Sequence, residues 1–138
     1  MQRAAILAVI FALLCAPAVA RSKATEYLVA EQIAEACSGT GGQIDPAAVI
    51  EQDLTGDGKD DLIISHEGIS CAGGGRSSFC GAQVCAFNVY VRRGALLELA
   101  KEMLGTMVSV DGSKVPSIRW YGHGGAKHLL RWDGSSFR

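Results

Sequence analysis

The sequence predicts an α+β domain in which one N-terminal helix packs on a mainly antiparallel, disulfide-stapled β-sheet. Three observations support this fold class. A single stretch, residues 24–37, has apolar side chains at helical spacing. All 17 glycines lie after that stretch, which is typical of a chain of short strands and turns. The later residues also fall into short apolar or alternating segments that are bounded by turn residues.

The first element, residues 1–20, has the pattern of a secretory signal peptide. Arg3 precedes a short uncharged apolar run, and residues 18–20 read Ala-Val-Ala, a small-x-small cleavage site. The run is shorter than the roughly 20 apolar residues of a membrane-spanning helix, although a retained N-terminal anchor is the alternative. We therefore expect cleavage before Arg21, a single exported domain over residues 21–138, and a periplasmic or secreted location.

The exported part has a composition that argues against some function classes. It carries 12 Lys and Arg against 14 Asp and Glu, so it lacks the basic stripe of a nucleic-acid-binding protein. It contains no second long apolar run, so we expect no membrane span in the mature chain. A length of about 118 residues suits one domain with one modest core.

The predicted helix has an apolar stripe and a polar side, and it ends where Gly39 can adopt a left-handed cap. The stripe consists of Val29, Ala30, Ile33, Ala34 and Cys37, and the other faces carry Glu26, Glu31, Gln32 and Glu35. Strands are predicted at residues 48–52, 62–66, 83–92, 95–101, 107–110, 115–121 and 128–132, with a return to Phe137. We expect residues 68–75 to form a loop and Asp111-Gly112 to form a tight turn.

Four cysteines remain after cleavage: Cys37, Cys71, Cys80 and Cys85. An even number in a small exported domain predicts disulfides, and three pairings are possible. We favour Cys80–Cys85, across a short segment, and Cys37–Cys71, which ties the helix to a Gly-rich loop. A four-Cys zinc site is the alternative, but no C-x2-C pair is present.

Residues 53–61, the Asp loop, have the composition of a calcium-binding turn. Calcium prefers six to eight hard oxygen ligands from a chain that wraps around it, and alternate residues of such a wrap point inward. We expect side-chain oxygens from Asp53, Thr55 and Asp57, the carbonyl of Lys59, and Asp61 directly or through water. Gly58 permits the sharp reversal, and the apolar Ile64 at position 12 excludes an EF-hand.

The Asp loop resembles the FG-GAP or integrin-α-like (VCBS-type) calcium loop, D-x-[DN]-G-D-G-x-x-D followed by an apolar strand. The chain departs from that motif at Thr55 and carries one copy over about 20 residues, whereas a propeller needs at least four blades. The chain is also similar to small exported bacterial proteins of unassigned function that combine one such loop with a Cys-flanked segment and a terminal W-D-G hairpin, here residues 132–134. The alternative for the Asp loop is a metal-free turn whose carboxylates cap backbone amides.

The remaining candidates for chemistry lack a recognisable pattern. We expect His66, His123 and His128 to be surface or turn histidines, because no metal-binding spacing such as H-E-x-x-H is present. No G-x-S-x-G elbow marks a hydrolase. An aromatic-basic face for a glycan or peptide would draw on Arg119, Trp120, Tyr121, Arg131 and Trp132. Strand alternation places Trp120 opposite Arg119 and Tyr121, so we expect core and edge packing for these residues instead.

These observations predict a non-enzymatic, periplasmic or secreted domain with one structural Ca²⁺ loop and a role in binding or envelope interaction. Its partner would be a protein, a glycan or another envelope component. The alternative is a small secreted hydrolase, or an inhibitor of one, that acts through the loop from Gly68 to Ala82. A cleft lined by His66 or His123, with a carboxylate within hydrogen-bond reach, would favour the enzyme.

Overall fold

The computed structural model describes residues 20–138, so the predicted signal peptide lies outside the described residues except for Ala20. In this range one α-helix packs against antiparallel sheets, and strand residues predominate. The elements are α1 (Lys23–Ala36), β1 (Gly42–Ile44), β2 (Val49–Gln52), β3 (Asp61–Ser65), β4 (Ile69–Cys71), β5 (Cys85–Arg93), β6 (Leu96–Val110), β7 (Ser117–Tyr121) and β8 (Lys127–Arg131). No helix among residues 20–138 is long and apolar enough to cross a membrane.

Helix α1 begins and ends as its sequence predicts. The Ser22 hydroxyl accepts a hydrogen bond from the Thr25 amide at 3.2 Å, which caps the first turn. Gly39 has φ +75° and donates its amide to the Ala34 carbonyl at 2.8 Å, which closes the last turn. Val29 and Ala36 are buried. The prediction that Gln32 lies on a polar face is wrong, because its side chain is buried against the sheet.

Six strands form one antiparallel sheet in the order β2-β3-β5-β6-β7-β8, and β1 pairs with β4 in a separate two-stranded ribbon. The ribbon was not predicted, and β4 falls in the segment predicted as a loop. Strand β3 is buried over its whole length. Leu62 and Ile64 contact the apolar residues beneath α1, whereas Ile63 joins the main core on the opposite face with Phe87 and Ile118. Helix α1 therefore covers one face of β3 and β5, and the later strands cover the other.

Strand β6 makes this arrangement possible because it joins β5 to β7 within the six-stranded sheet. Two separate strands were predicted here, and the structure has one strand of 15 residues instead. Its pairing register shifts between Thr106 and Ser109, and Met107 has φ +54°. Glu67 holds this bend: its carboxylate accepts hydrogen bonds from the Thr106 hydroxyl and from the Met107 amide, the latter at 2.8 Å. The first half of β6 pairs with β5 and the second half pairs with β7.

The cysteines form the two favoured pairs. Cys37 is bonded to Cys71, with 5.3 Å between their Cα atoms, and Cys80 is bonded to Cys85. The first disulfide joins the end of α1 to β4, and so attaches the two-stranded ribbon to the helix. The second closes the segment that leads into β5.

Candidate functional site

The Asp loop connects β2 to β3 and is organised by the carboxylate of Asp53. Its Oδ1 accepts hydrogen bonds from the amides of Thr55, Gly56 and Asp57, and its Oδ2 accepts one from Gly58 at 2.7 Å. Slight burial acts to raise the pKa of Asp53, but these backbone amides together outweigh it and lower the pKa. The loop is thus wrapped around this side chain, with Gly56 and Gly58 at positive φ.

Asp61 lies at the other end of the loop and is completely buried. Its Oδ2 accepts a hydrogen bond from the Leu54 amide and its Oδ1 accepts one from the Arg92 amide, both at 2.8 Å. Burial raises the pKa of Asp61, and the negative charges of Asp57 and Asp53 add to this effect although the two amides oppose it. Asp61 therefore links the Asp loop to the C-terminal end of β5.

The remaining predicted calcium ligands lie on the same turn. The Thr55 hydroxyl is 3.4 Å from Asp53 Oδ1, and Asp57 Oδ1 accepts a hydrogen bond from the Lys59 amide at 2.9 Å. Within residues 20–138 no group of three or more His, Cys, Asp or Glu side chains is arranged to hold a metal ion. The fit to calcium is partial: Asp61 is directed to backbone amides, while Asp53 Oδ2 accepts one hydrogen bond and Asp57 Oδ2 accepts none among the described residues.

A second polar cluster, the histidine network, is buried beneath α1. The prediction that His66 is a surface histidine is wrong, since its side chain is only 1% exposed, although the residue does begin a 3₁₀ turn, His66–Gly68. Its Nδ1 lies 2.8 Å from the Ser77 hydroxyl, and its Nε2 lies 2.8 Å from Gln32 Oε1. Asn88 also donates to Gln32 Oε1, at 3.0 Å. Because Gln32 presents its carbonyl oxygen to both neighbours, Nε2 of His66 carries the proton and Nδ1 accepts from Ser77.

The histidine network has the wrong surroundings for nucleophilic catalysis. Ser77 is buried, and its oxygen also accepts a hydrogen bond from the Phe79 amide at 3.1 Å. Both ring nitrogens of His66 face neutral groups, so among the described residues no carboxylate lies within their hydrogen-bond reach. Burial lowers the pKa of His66, which keeps the ring neutral. The criterion that would favour a hydrolase is therefore not met at His66.

Sequence reasoning missed the partners of His66, which are Gln32 on α1 and Ser77 in the segment before β5. It also missed Asn88 on β5, which is the further partner of Gln32. The separations along the chain are 34 residues to Gln32 and 11 to Ser77. The one clue in the sequence is the position of Gln32, which lies three residues after Val29 and four before Ala36, on the same side of the helix as these apolar residues.

The outer surface of β6–β8 carries the third candidate site, which we call the basic face: Met107, Ser109, Arg119, Tyr121, Lys127 and Leu129. Pairing places Ser109, Arg119 and Leu129 side by side, and Tyr121 beside Lys127. These residues contribute to the lining of a shallow depression of about 550 Å³. Trp120 points to the core, as alternation predicts, and Trp132 packs against the same core.

Charge is unevenly distributed along the chain, and both cations of the basic face lie in the positive part. Residues 114–138 contain five Lys and Arg against one Asp, whereas residues 21–113 contain seven against 13 Asp and Glu. Arg119 forms an exposed ion pair with Asp111 at 3.6 Å. That pair is weak because water screens it, so Arg119 remains free to bind other anions.

Comparison of the chain with protein-family models, with curated proteins and with solved structures gives no match. The functional conclusion therefore rests on the geometry of residues 20–138.

Proposed function

We propose that the mature chain is an exported, non-enzymatic binding domain that attaches to an anionic polymer of the cell envelope through the basic face. The observation that carries this proposal is the exposure of large apolar side chains among cations on a rigid sheet. Met107 is 68% exposed and Leu129 52% exposed, and Tyr121 is also exposed. Exposed apolar patches on small domains mark interaction sites, because leaving such surface in water is unfavourable.

The chemistry of the basic face fits a polyanion with apolar surfaces. Arg119 can bind a carboxylate or phosphate through two parallel hydrogen bonds, and Lys127 adds a mobile point charge. The aromatic ring of Tyr121 supplies a flat apolar surface beside them. Residues 21–113 carry a net negative charge, which opposes binding of a polyanion elsewhere on the domain.

Affinity electrophoresis tests the proposal, with the mature protein run through gels that contain polygalacturonate, a polyanion, or neutral dextran. We expect retardation by polygalacturonate alone, decreasing as salt increases. The variant Arg119→Glu/Lys127→Glu should migrate without retardation. A control of equal charge, Lys23→Glu/Arg93→Glu, changes exposed cations outside the basic face and should remain retarded. Equal loss in both variants, or no retardation of the unmutated protein, would refute the proposal.

We also propose that the Asp loop takes one structural Ca²⁺ of low affinity. Asp53 and Asp57 would hold it, with Thr55 and the carbonyl of Lys59, while Asp61 stays with its backbone partners. Support comes from the crowding of the Asp53, Asp57 and Asp61 carboxylates on one loop, where Asp57 Oδ2 accepts no hydrogen bond among the described residues. A cation on this turn would relieve the repulsion between these like charges. Thr55 offers a neutral hydroxyl where the calcium-loop motif has Asn or Asp, so we expect a dissociation constant of about 10⁻⁴ to 10⁻³ M, the range of extracellular modules.

Melting temperatures in calcium and in chelator test this site. At a tenfold excess over the dissociation constant, binding to the folded state alone stabilises by about 1.4 kcal/mol. For about 118 residues this corresponds to a rise of roughly 6 °C. Asp57→Ala should remove most of the rise, whereas Asp60→Ala, the matched control on the same exposed turn, should keep it. Equal melting temperatures of the unmutated protein in calcium and in chelator would leave the metal-free turn.

A further inference from the structure

Strand β8 ends the six-stranded sheet, so one of its two edges faces away from β7. The backbone of Arg131 points to this outer edge, because its amide donates to the Arg138 carbonyl at 2.8 Å and its carbonyl accepts from the Arg138 amide at 3.0 Å. Successive residues of a strand direct their backbone groups to opposite edges, so Leu129 and Lys127 face the same way as Arg131. We call the backbone groups of Lys127 and Leu129 the β8 edge.

The β8 edge carries free donors and acceptors. Pairing with β7 uses the alternate residues of the strand, such as His128, and the bond from the Gly122 amide to the Ala126 carbonyl starts this ladder. Among the described residues, no hydrogen bond involves the N–H or C=O groups of Lys127 and Leu129. Both side chains are exposed as well. Such an edge is a template for one further strand.

The opposite end of the sheet, at β2, is closer to other parts of the chain. Gln52 Nε2 donates to the Asp111 carbonyl, just after β6, at 2.9 Å. Ile50 and Val108 line one depression of about 200 Å³ between β2 and the second half of β6. The sheet therefore curves so that β6 lies beside β2, and β8 is left as the open end.

The surroundings of the β8 edge are positively charged. Residues 114–132 contain four Lys and Arg and no Asp or Glu. Lys127 lies on the edge itself, and Arg119 lies beside Leu129 on the same face of the sheet. A second copy that paired through β8 would bring Lys127 and Arg131 of both chains together, and like charges on paired strands are destabilising. An acidic strand is attracted instead, because its charge is complementary.

We propose that the β8 edge binds an extended acidic segment of a partner protein as an added antiparallel strand. The segment would exchange about four backbone hydrogen bonds with Lys127 and Leu129. It would place an apolar side chain opposite Leu129 and, two positions later, a carboxylate opposite Lys127. This contact requires backbone hydrogen bonds, whereas the polymer contact proposed above does not, so the two proposals can fail separately.

Fluorescence anisotropy with a labelled, capped hexapeptide, Thr-Val-Thr-Glu-Thr-Glu, tests the proposal on the mature protein. We expect this peptide to bind saturably. The same peptide with methylated amide nitrogens at valine and at both glutamates keeps its charge and its side chains, but it loses the donors that would face β8. It should bind at least about tenfold more weakly. A peptide with glutamine in place of glutamate measures the contribution of charge and should also bind more weakly.

Two variants at one position test the edge from the side of the protein. Leu129→Pro removes a free backbone donor, a change that the outward-facing positions of edge strands tolerate, and should weaken peptide binding at least about tenfold. Leu129→Ala shortens the same side chain but keeps the donor, and should weaken binding by about threefold or less. The methylated peptide gives the corresponding test on the unmutated protein, so the result does not depend on how well the proline variant folds.

Three results would overturn the proposal. The first is that the unmutated protein does not bind the peptide at millimolar concentration, including the case in which it forms a dimer through this edge instead. The second is that the methylated peptide binds as well as the unmethylated one, which would leave charge attraction alone. The third is that Leu129→Pro and Leu129→Ala weaken binding to the same extent.

Discussion

Replacement of Asp61 by alanine perturbs the link between the Asp loop and the sheet. In the structure this side chain is completely buried, and its two oxygens accept hydrogen bonds from the amides of Leu54 and Arg92. Alanine removes both acceptors at once. The Leu54 amide is then left unpaired inside the protein, and the Arg92 amide is left unpaired in a partly buried position.

The magnitude follows from these two amides. Each buried donor that loses its partner costs about 1–3 kcal/mol, so the gross loss is about 2–6 kcal/mol. Part of it is offset, because burial raises the pKa of Asp61 and alanine no longer buries a carboxylate. We expect a net loss of about 2–4 kcal/mol in the free energy of unfolding. With an unfolding entropy near 0.25 kcal/mol/K for about 118 residues, the melting temperature should fall by about 8–16 °C.

Differential scanning calorimetry in a chelating buffer measures this loss without any contribution from calcium. Asp60→Ala is the matched control, since Asp60 is the neighbouring residue, is exposed, and makes no side-chain hydrogen bond among the described residues. Its melting temperature should change by no more than about 2 °C. A loss for Asp61→Ala as small as that of Asp60→Ala would refute the assignment of Asp61 as a structural link.

Three further predictions concern the core and the disulfides. Burial lowers the pKa of His66 below 6.5. The contribution of the neutral ring to stability should therefore be complete above about pH 6.5 and lost as pH falls through the lowered pKa. A pH series of melting temperatures on the unmutated protein and on His66→Gln would reveal this loss. Gly105→Ala places a Cβ 2.2 Å from the Trp120 ring, so urea unfolding should show a loss of about 1–3 kcal/mol; an unchanged midpoint would contradict this packing. Cys37→Ala/Cys71→Ala opens a disulfide with a sequence separation of 34 and should cost about 3–4 kcal/mol in urea unfolding, whereas no loss would argue against this link.

The features that the sequence determined by itself are those with a local physical cause. Helix α1 was predicted because its apolar spacing and the capping residue Gly39 act within a few residues of one another. The hairpin connections and the position of the Asp loop between β2 and β3 follow from turn residues in the same way. The pairing of the disulfides could be favoured but was not fixed by spacing, because four cysteines allow three pairings.

The tertiary structure decided the features whose causes lie far apart in the chain. Strand β6 was predicted as two strands, residues 95–101 and 107–110, yet it continues through a bend held by Glu67, whose partner at Met107 is 40 residues away. Gln32 is polar and was assigned to a solvent face, but it is buried because His66 and Asn88 complete its hydrogen bonds. The spacing of residues along a helix shows where apolar side chains recur. It does not show whether a residue far away in the chain will complete the hydrogen bonds of a buried polar side chain. Buried polar networks such as this one therefore form only when the strands and the helix pack together.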